Sequence, residues 1–136
     1  MIRKIVIDGN DGTGKSFRIE QMKPLFPGVE FQDRGIFSEA TLNDDIFDDS
    51  KNKSWESCFV MTPRQKFRHE IMHNSDTLYI ILKAKTETCR NRIKERGDSL
   101  EEEFHTINDL MKYGQRFDYL VELVKSCPNV MCVCTD

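Results

Sequence analysis

Two rhythms of apolar and polar positions run along this chain. Short β-branched runs mark strands: Ile2 to Ile7 ends at Asp8 and Gly9, Val29 to Gln32 alternates, Thr77 to Leu82 (T-L-Y-I-I-L) is the clearest, and Val130 to Cys134 (V-M-C-V-C) is the last. Between them lie segments of helical period. Lys15 to Lys23 is one-faced and closed by Pro24, and Pro63 suits the first turn of a helix running to about His73. Glu87 to Arg96 is helical but polar on most sides, with Cys89 and Ile93 its main apolar positions, so it is expected to pack lightly and to move. From Leu100 through Phe104, Leu110 and Phe117 to Val124, apolar residues recur at three- and four-residue steps, which predicts one long amphipathic helix. Asn43 to Asp49 (N-D-D-I-F-D-D) and the polar Ser50 to Ser54 read as an exposed loop or flap, and Trp55 to Met61 fits either a strand or a helix.

Strands alternating with helices imply an α/β fold: a three-layer sandwich with a small, mainly parallel sheet flanked by helices and ligands at the carboxyl ends of the strands. At 136 residues, without an internal repeat or a low-complexity linker, the chain reads as a single domain over 1–136. Twenty Lys and Arg against 23 Asp and Glu give a net charge of −3, so no uniform cationic surface is available to a polyanion and any phosphate binding must be local. The five cysteines form no C-x-x-C pair, and nothing at the N-terminus reads as a signal peptide, which points to a reduced, cytoplasmic setting. Cys132 and Cys134 share one face of their strand and are expected to be small core residues. No apolar run is long enough to span a membrane, and the oligomeric state is left open.

Gly9-Asn10-Asp11-Gly12-Thr13-Gly14-Lys15-Ser16 fits G-x-x-x-x-G-K-[ST] at every constrained position, after an apolar strand and before a helix. In that pattern glycines let backbone N–H groups turn inward around a phosphate, Lys15 reaches the β- and γ-phosphates of a nucleotide such as ATP, and the Ser16 hydroxyl holds Mg²⁺. At the end of the second strand, Asp33 is placed to contact the magnesium shell or to accept a proton from an attacking hydroxyl, and Arg34 to neutralise phosphate charge. Arg90, Arg92 and Arg96 lie on the polar helix; Arg92 and Arg96 share a face and could close over a transferring phosphate as a lid, or form a plain solvated face. Arg64 and Arg68 share a face of an earlier helix and are candidates for holding the acceptor, or again a plain exposed face. The histidines show no ligand spacing.

The segment I-D-G-N-D-G-T-G-K-S, the Asp33-Arg34 pair, the run S-D-T-L-Y-I-I-L-K-A-K-T-E-T-C-R-N-R-I-K-E-R-G-D, and F-D-Y-L-V-E-L followed by P-N-V-M-C-V-C together resemble the thymidylate kinase family of P-loop kinases. The resemblance implies a P-loop kinase fold in which Asp11 faces the sugar hydroxyl of the acceptor. It makes Asp33 a magnesium-shell or catalytic carboxylate, Arg34 a phosphate clamp, and Arg92 and Arg96 lid arginines. The activity it implies is transfer of the γ-phosphoryl group of ATP, with Mg²⁺, to a deoxynucleotide-type acceptor. Only Pro24 to Gln32 separates the first helix from Asp33, where that family has further acceptor-binding segments, and Phe17-Arg18 replaces its small polar pair after the loop. A site shortened in this way also suits a hydroxyl on DNA, on a modified base or a strand end. A non-kinase NTPase or nucleotide-gated binding module is the remaining reading.

Overall fold

The computed structural model describes residues 1–53, 60–97 and 106–136. Four strands, β1 (Lys4–Gly9), β2 (Glu30–Asp33), β3 (Thr77–Lys83) and β4 (Val130–Cys134), form one parallel sheet in the order β2-β1-β3-β4. The register sets Ile7 beside Asp33, Gly9 beside Leu82 and Leu82 beside Val133. The chain leaves β1 toward one edge and β3 toward the other, so the crevice between those two carboxyl ends is the switch point where ligands of open parallel sheets bind. The α/β class and the parallel sheet expected from the sequence are observed.

Five helices are described: α1 (Lys15–Met22), α2 (Ile36–Thr41), α3 (Pro63–His73), α4 (Thr86–Glu95) and α5 (Ile107–Leu123). Alternation along the strands divides the core. Val6, Tyr79 and Ile81 meet Phe37, Ile71 and Leu120 on one face, where Phe37 packs edge-on against Phe67 with ring centroids 5.1 Å apart. Ile5, Ile7, Ile80 and Leu82 meet Ile19 of α1 on the other. Fully buried side chains such as Phe37, Ile7 and Ile71 each contribute about 1.5–3 kcal/mol.

Local chemistry sets the helix ends. Thr62 and Gln65 form a reciprocal capping box with Pro63 in the first turn of α3, and the Thr106 hydroxyl accepts from the Asp109 N–H at the start of α5. α2 has no side-chain cap of its own; the Gly35 and Ser38 N–H groups donate instead to the Asp8 carboxylate at 3.0 Å. Gly114, inside α5, has no described neighbour within 4 Å of where its Cβ would stand except Asn10 Nδ2 at 3.6 Å, an ordinary contact. Ala would therefore fit, and Gly costs about 1 kcal/mol relative to it in a helix interior.

Three expectations are corrected. α4 does not pack lightly: Cys89 and Ile93 are fully buried against Leu110 of α5. Cys132 and Cys134 share a face but are exposed, because β4 is an edge strand with a neighbour on one side only. The acidic stretch is a built segment of two short 3₁₀ turns, Asp44–Phe47 and Asp49–Lys51, capped by the Asn43 and Asp48 side chains, and it buries Ile46 in the core. Its charges face water while Ile46 and Phe47 anchor it. The ambiguous run at Trp55 to Met61 lies outside the described residues for 55–59, as do Leu100 and Phe104, so the long helix is described from Ile107.

Candidate functional site

The glycine loop leaves β1 at the centre of the carboxyl edge. Gly9, Gly12 and Gly14 all have positive φ, 144°, 83° and 89°, a region that suits residues without a Cβ. Space demands glycine as well: a Cβ on Gly9 would stand 2.5 Å from the Leu82 carbonyl oxygen, and one on Gly12 the same distance from the Cys89 carbonyl oxygen. The loop is thus wedged between β3 and α4. Thr13 is buried; its hydroxyl donates to the Asn10 carbonyl at 2.7 Å and its own carbonyl accepts from Thr135 Oγ1 at 2.9 Å. The Asn10 amide donates to the Leu110 carbonyl at 2.8 Å and ties the loop to α5.

Lys15 is folded into the loop, with Nζ donating to the Gly9 and Asn10 carbonyls at 3.1 and 3.0 Å and lying 3.8 Å from the Asp11 carboxylate. Burial pulls its ammonium below the usual lysine range, and Asp11 opposes that pull. Arg34 pairs with Asp11 through Nη2, and its N–H donates to the Ile7 carbonyl at 3.0 Å. Among the described residues it is the one non-glycine with positive φ, 62°, a conformation that costs energy for a long side chain. Arg92 donates to the Gly12 carbonyl at 3.2 Å, Thr135 Oγ1 at 3.1 Å and the Thr135 carbonyl at 2.6 Å, bolting α4 to the loop and to the end of β4.

Two hollows result. A trough of about 460 Å³ is lined by Asp11, Gly12, Gly14, Lys15, Ser16, Asp33, Arg34, Arg92 and Arg96. A cleft of about 220 Å³ lies beside it, walled by Asn10, Ser38, Thr41, Leu42, Tyr113 and Phe117. Asp11 and Arg34 line both, so their ion pair stands between the two. Apart from Gly9 and Thr13, which shape the loop, the residues expected to act on phosphate are therefore gathered in one place.

Arg64 and Arg68 are not part of that gathering, which removes the geometric basis for an acceptor role. Arg64 Nε donates to the Ile46 carbonyl at 2.7 Å and Nη2 pairs with Asp49 at 2.7 Å, with the guanidinium 5.2 Å from the Tyr119 ring centroid. Arg68 donates to Ser126 Oγ at 3.1 Å. Arg90 lines neither hollow.

Two residues at the site escaped the sequence reading of roles. Asp8 is fully buried; it accepts from the Gly9 N–H at 2.9 Å, from the Gly35 and Ser38 N–H groups, and from Ser38 Oγ, so one carboxylate joins the start of the loop to the segment after Arg34. Its signal was a carboxylate directly after an apolar strand, read there as a strand terminator. Thr135 joins the loop to α4 through Arg92 and carries no motif.

Among the described residues no group of three or more His, Cys, Asp or Glu is placed to hold a metal ion. Mg²⁺ needs less from a protein: one or two oxygen side chains suffice when phosphates and waters complete its octahedron. Ser16 and Asp33 on the trough wall meet that requirement. Among the described residues no helix is long and apolar enough to cross a membrane.

No protein-family model matches the chain, and no curated protein matches it. A solved structure described as the crystal structure of an uncharacterized protein from Eubacterium ventriosum ATCC 27560 is similar with a TM-score of 0.46 at 10% sequence identity, over 98% of this chain and 90% of that one.

Proposed function

We propose that the chain is an ATP- and Mg²⁺-dependent phosphotransferase with a P-loop kinase fold, moving the γ-phosphoryl group to a hydroxyl of a deoxynucleotide-type acceptor. The observation that carries this reading is the Asp11–Arg34 pair between two hollows, with the glycine loop and Lys15 on the trough side. A hydrolase needs one anion-binding hollow, whereas a kinase needs a second for the acceptor next to the transferring group.

In this reading the donor phosphates lie in the trough over Gly12, Gly14 and Lys15, with Arg34, Arg92 and Arg96 neutralising charge. Ser16 and Asp33 would hold Mg²⁺, which supplies charge neutralisation on the β- and γ-phosphates. The acceptor oxygen forms a bond to the γ-phosphorus as the bond from that phosphorus to the β,γ-bridging oxygen breaks, ADP leaves with the electron pair, and the hydroxyl proton passes to a carboxylate beside the loop. Positioning and charge supply most of the acceleration in such a reaction.

A second reading rests on the size of the acceptor cleft. About 220 Å³ is below the roughly 300–1,000 Å³ of pockets that enclose a whole small ligand, and the exposed Leu42 stands at its mouth. Such a cleft suits a hydroxyl presented by a larger body, such as a base or a strand end of DNA.

Incubation with γ-labelled ATP and Mg²⁺ together with thymidine, its monophosphate, and unmodified and hydroxyl-modified oligodeoxynucleotides tests both. Label on the monophosphate supports the first reading and label on DNA the second. Free phosphate as the sole labelled product, or no turnover, overturns the kinase reading in favour of an NTPase or binding module.

A further inference from the structure

The expectation that the histidines lack ligand spacing is corrected for one pair. His69 and His73 stand four positions apart on α3, which on a helix is one turn and one face. Their ring centroids are 5.9 Å apart, with the planes 17° from parallel. Both side chains are exposed, and among the described residues neither ring has a hydrogen-bond or ion-pair partner. The stretch reads His69-Glu70-Ile71-Met72-His73, the H-E-x-x-H order that can bring two imidazoles to one cation.

The donor set names the ligand class. Neutral imidazole nitrogens suit late first-row divalent cations such as Ni²⁺, Cu²⁺ and Zn²⁺, whereas Mg²⁺ and Ca²⁺ take oxygen. Reach agrees: with a metal–nitrogen bond of about 2.0–2.1 Å each centroid stands roughly 3 Å from the cation, so rings 5.9 Å apart can share one. The platform beneath them is fixed. Ile71, between the pair, is fully buried, and the Asn129 amide donates to the Ile71 and Asn74 carbonyls at 2.9 and 3.1 Å, so binding has only two side chains to order. His73 lies in the last turn of α3, where the helix dipole favours a cation, and the neighbouring Arg68 guanidinium is engaged with Ser126.

We propose that His69 and His73 chelate one late first-row divalent cation, with water completing its coordination. Among the described residues no His, Cys, Asp or Glu joins them to make a group of three, and Glu70 lines a separate hollow with Pro63, Lys66 and Phe67. The pair therefore holds a cation without the third ligand of a catalytic zinc centre, and no hydrolysis is assigned to it. No residue of α3 lines the phosphate trough, and the proposal does not depend on phosphoryl transfer.

The test is titration of the full chain, carrying ¹³C-labelled histidine and kept reduced, with Zn²⁺ and, as comparator, Mg²⁺. The His69 and His73 ring resonances, assigned through His69→Gln and His73→Gln, are expected to shift together with one apparent Kd and to ignore Mg²⁺ at the same concentration. Each substitution should weaken zinc binding at the remaining ring at least tenfold, and a thermal melt checks that both variants fold. Cys132→Ser combined with Cys134→Ser, which removes the exposed thiols, should change the histidine response less than twofold. The chelate is overturned if neither ring responds to Zn²⁺, or if a folded Gln variant binds zinc at its remaining ring as tightly as the wild type does. A response lost with the two thiols overturns the site, and an equal response to Mg²⁺ overturns the ligand class.

Discussion

Arg34 at the carboxyl edge of the sheet and the arginines around the acidic segment look alike in composition and are held in opposite ways. Arg64 and Arg116 are 23% and 18% exposed while their partners Asp49 and Asp44 are 95% and 84% exposed; Arg34 is 56% exposed while its partner Asp11 is 13% exposed. Around the segment the cation is the more buried partner and the acid is solvated. Arg116 donates to the Thr41 carbonyl at 2.7 Å and lies 4.3 Å from the Phe47 ring centroid, so it acts as a bracket whose ion pair is nearly incidental. At the loop the acid is the more buried partner and the cation reaches outward. A guanidinium held that way can exchange its partner for an incoming anion without uncovering any backbone group. Burial of the acid, rather than the presence of an ion pair, separates a poised charge from a brace.

Substitutions separate the two classes. The largest effect belongs to Lys15→Ala: loss of a charge contact to a transferring phosphate costs about 10²–10³ in turnover, and the Tm falls as well because the Gly9 and Asn10 carbonyls lose their donor. Labelled-phosphate transfer and a thermal melt check this, and near-normal transfer would remove the proposed chemistry. Arg34→Ala comes next, with transfer lowered about 10²-fold and the Tm little changed, since its guanidinium is 56% exposed. Arg116→Ala should invert that pattern. The Thr41 carbonyl loses its donor and Phe47 its cation, costing about 1–2 kcal/mol and lowering the Tm by roughly 4–8 °C, with transfer within about twofold. A fall in transfer for Arg116→Ala that exceeds the one for Arg34→Ala would break the distinction.

The sequence shows these arginines only as residues on helix faces or strand ends, and the limits of that view are physical. The strand, glycine loop and helix from Lys4 to Met22 were legible because every determinant lies within a few residues: β-branched run, glycines, Lys15 and the Pro24 stop. Asp33 and Arg34 were legible as site residues because a strand end fixes where they emerge. α2 was not, since its cap comes from Asp8, 27 positions before Gly35. Helix spacing pairs Arg64 with Arg68 as readily as Arg92 with Arg96, and only the topology decides which pair lies beside the loop. For Cys132 and Cys134, alternation gave the shared face correctly, yet exposure depends on strand order, which no local pattern carries. Charge in the acidic segment masked Ile46, whose burial depends on Phe67 and Ile71 of α3 being nearby.

Lys15 straddles the comparison, because its present contacts are those of a brace and its proposed role is that of a poised charge. Desolvation makes the difference measurable. Its ammonium is held below the ordinary value of 10.5, chiefly by burial, so in the interval between the lowered value and the ordinary one the unfolded chain binds more protons than the folded chain. Stability contributed at this position therefore rises with pH through that interval and is flat below it. Urea unfolding at stepped pH should show the wild type gaining on Lys15→Met as pH climbs toward 10.5, the smallest effect predicted. Comparison with the variant cancels the opposing alkaline losses from Tyr79 and Cys89, whose ionisation burial pushes upward. Inorganic tripolyphosphate sharpens the measurement: an anion in the trough favours the charged lysine, raises its folded value and should flatten the wild-type slope. A slope of the opposite sign would mean that the Gly9 and Asn10 carbonyls more than repay the desolvation, and Lys15 would then belong with Arg116 among the braces.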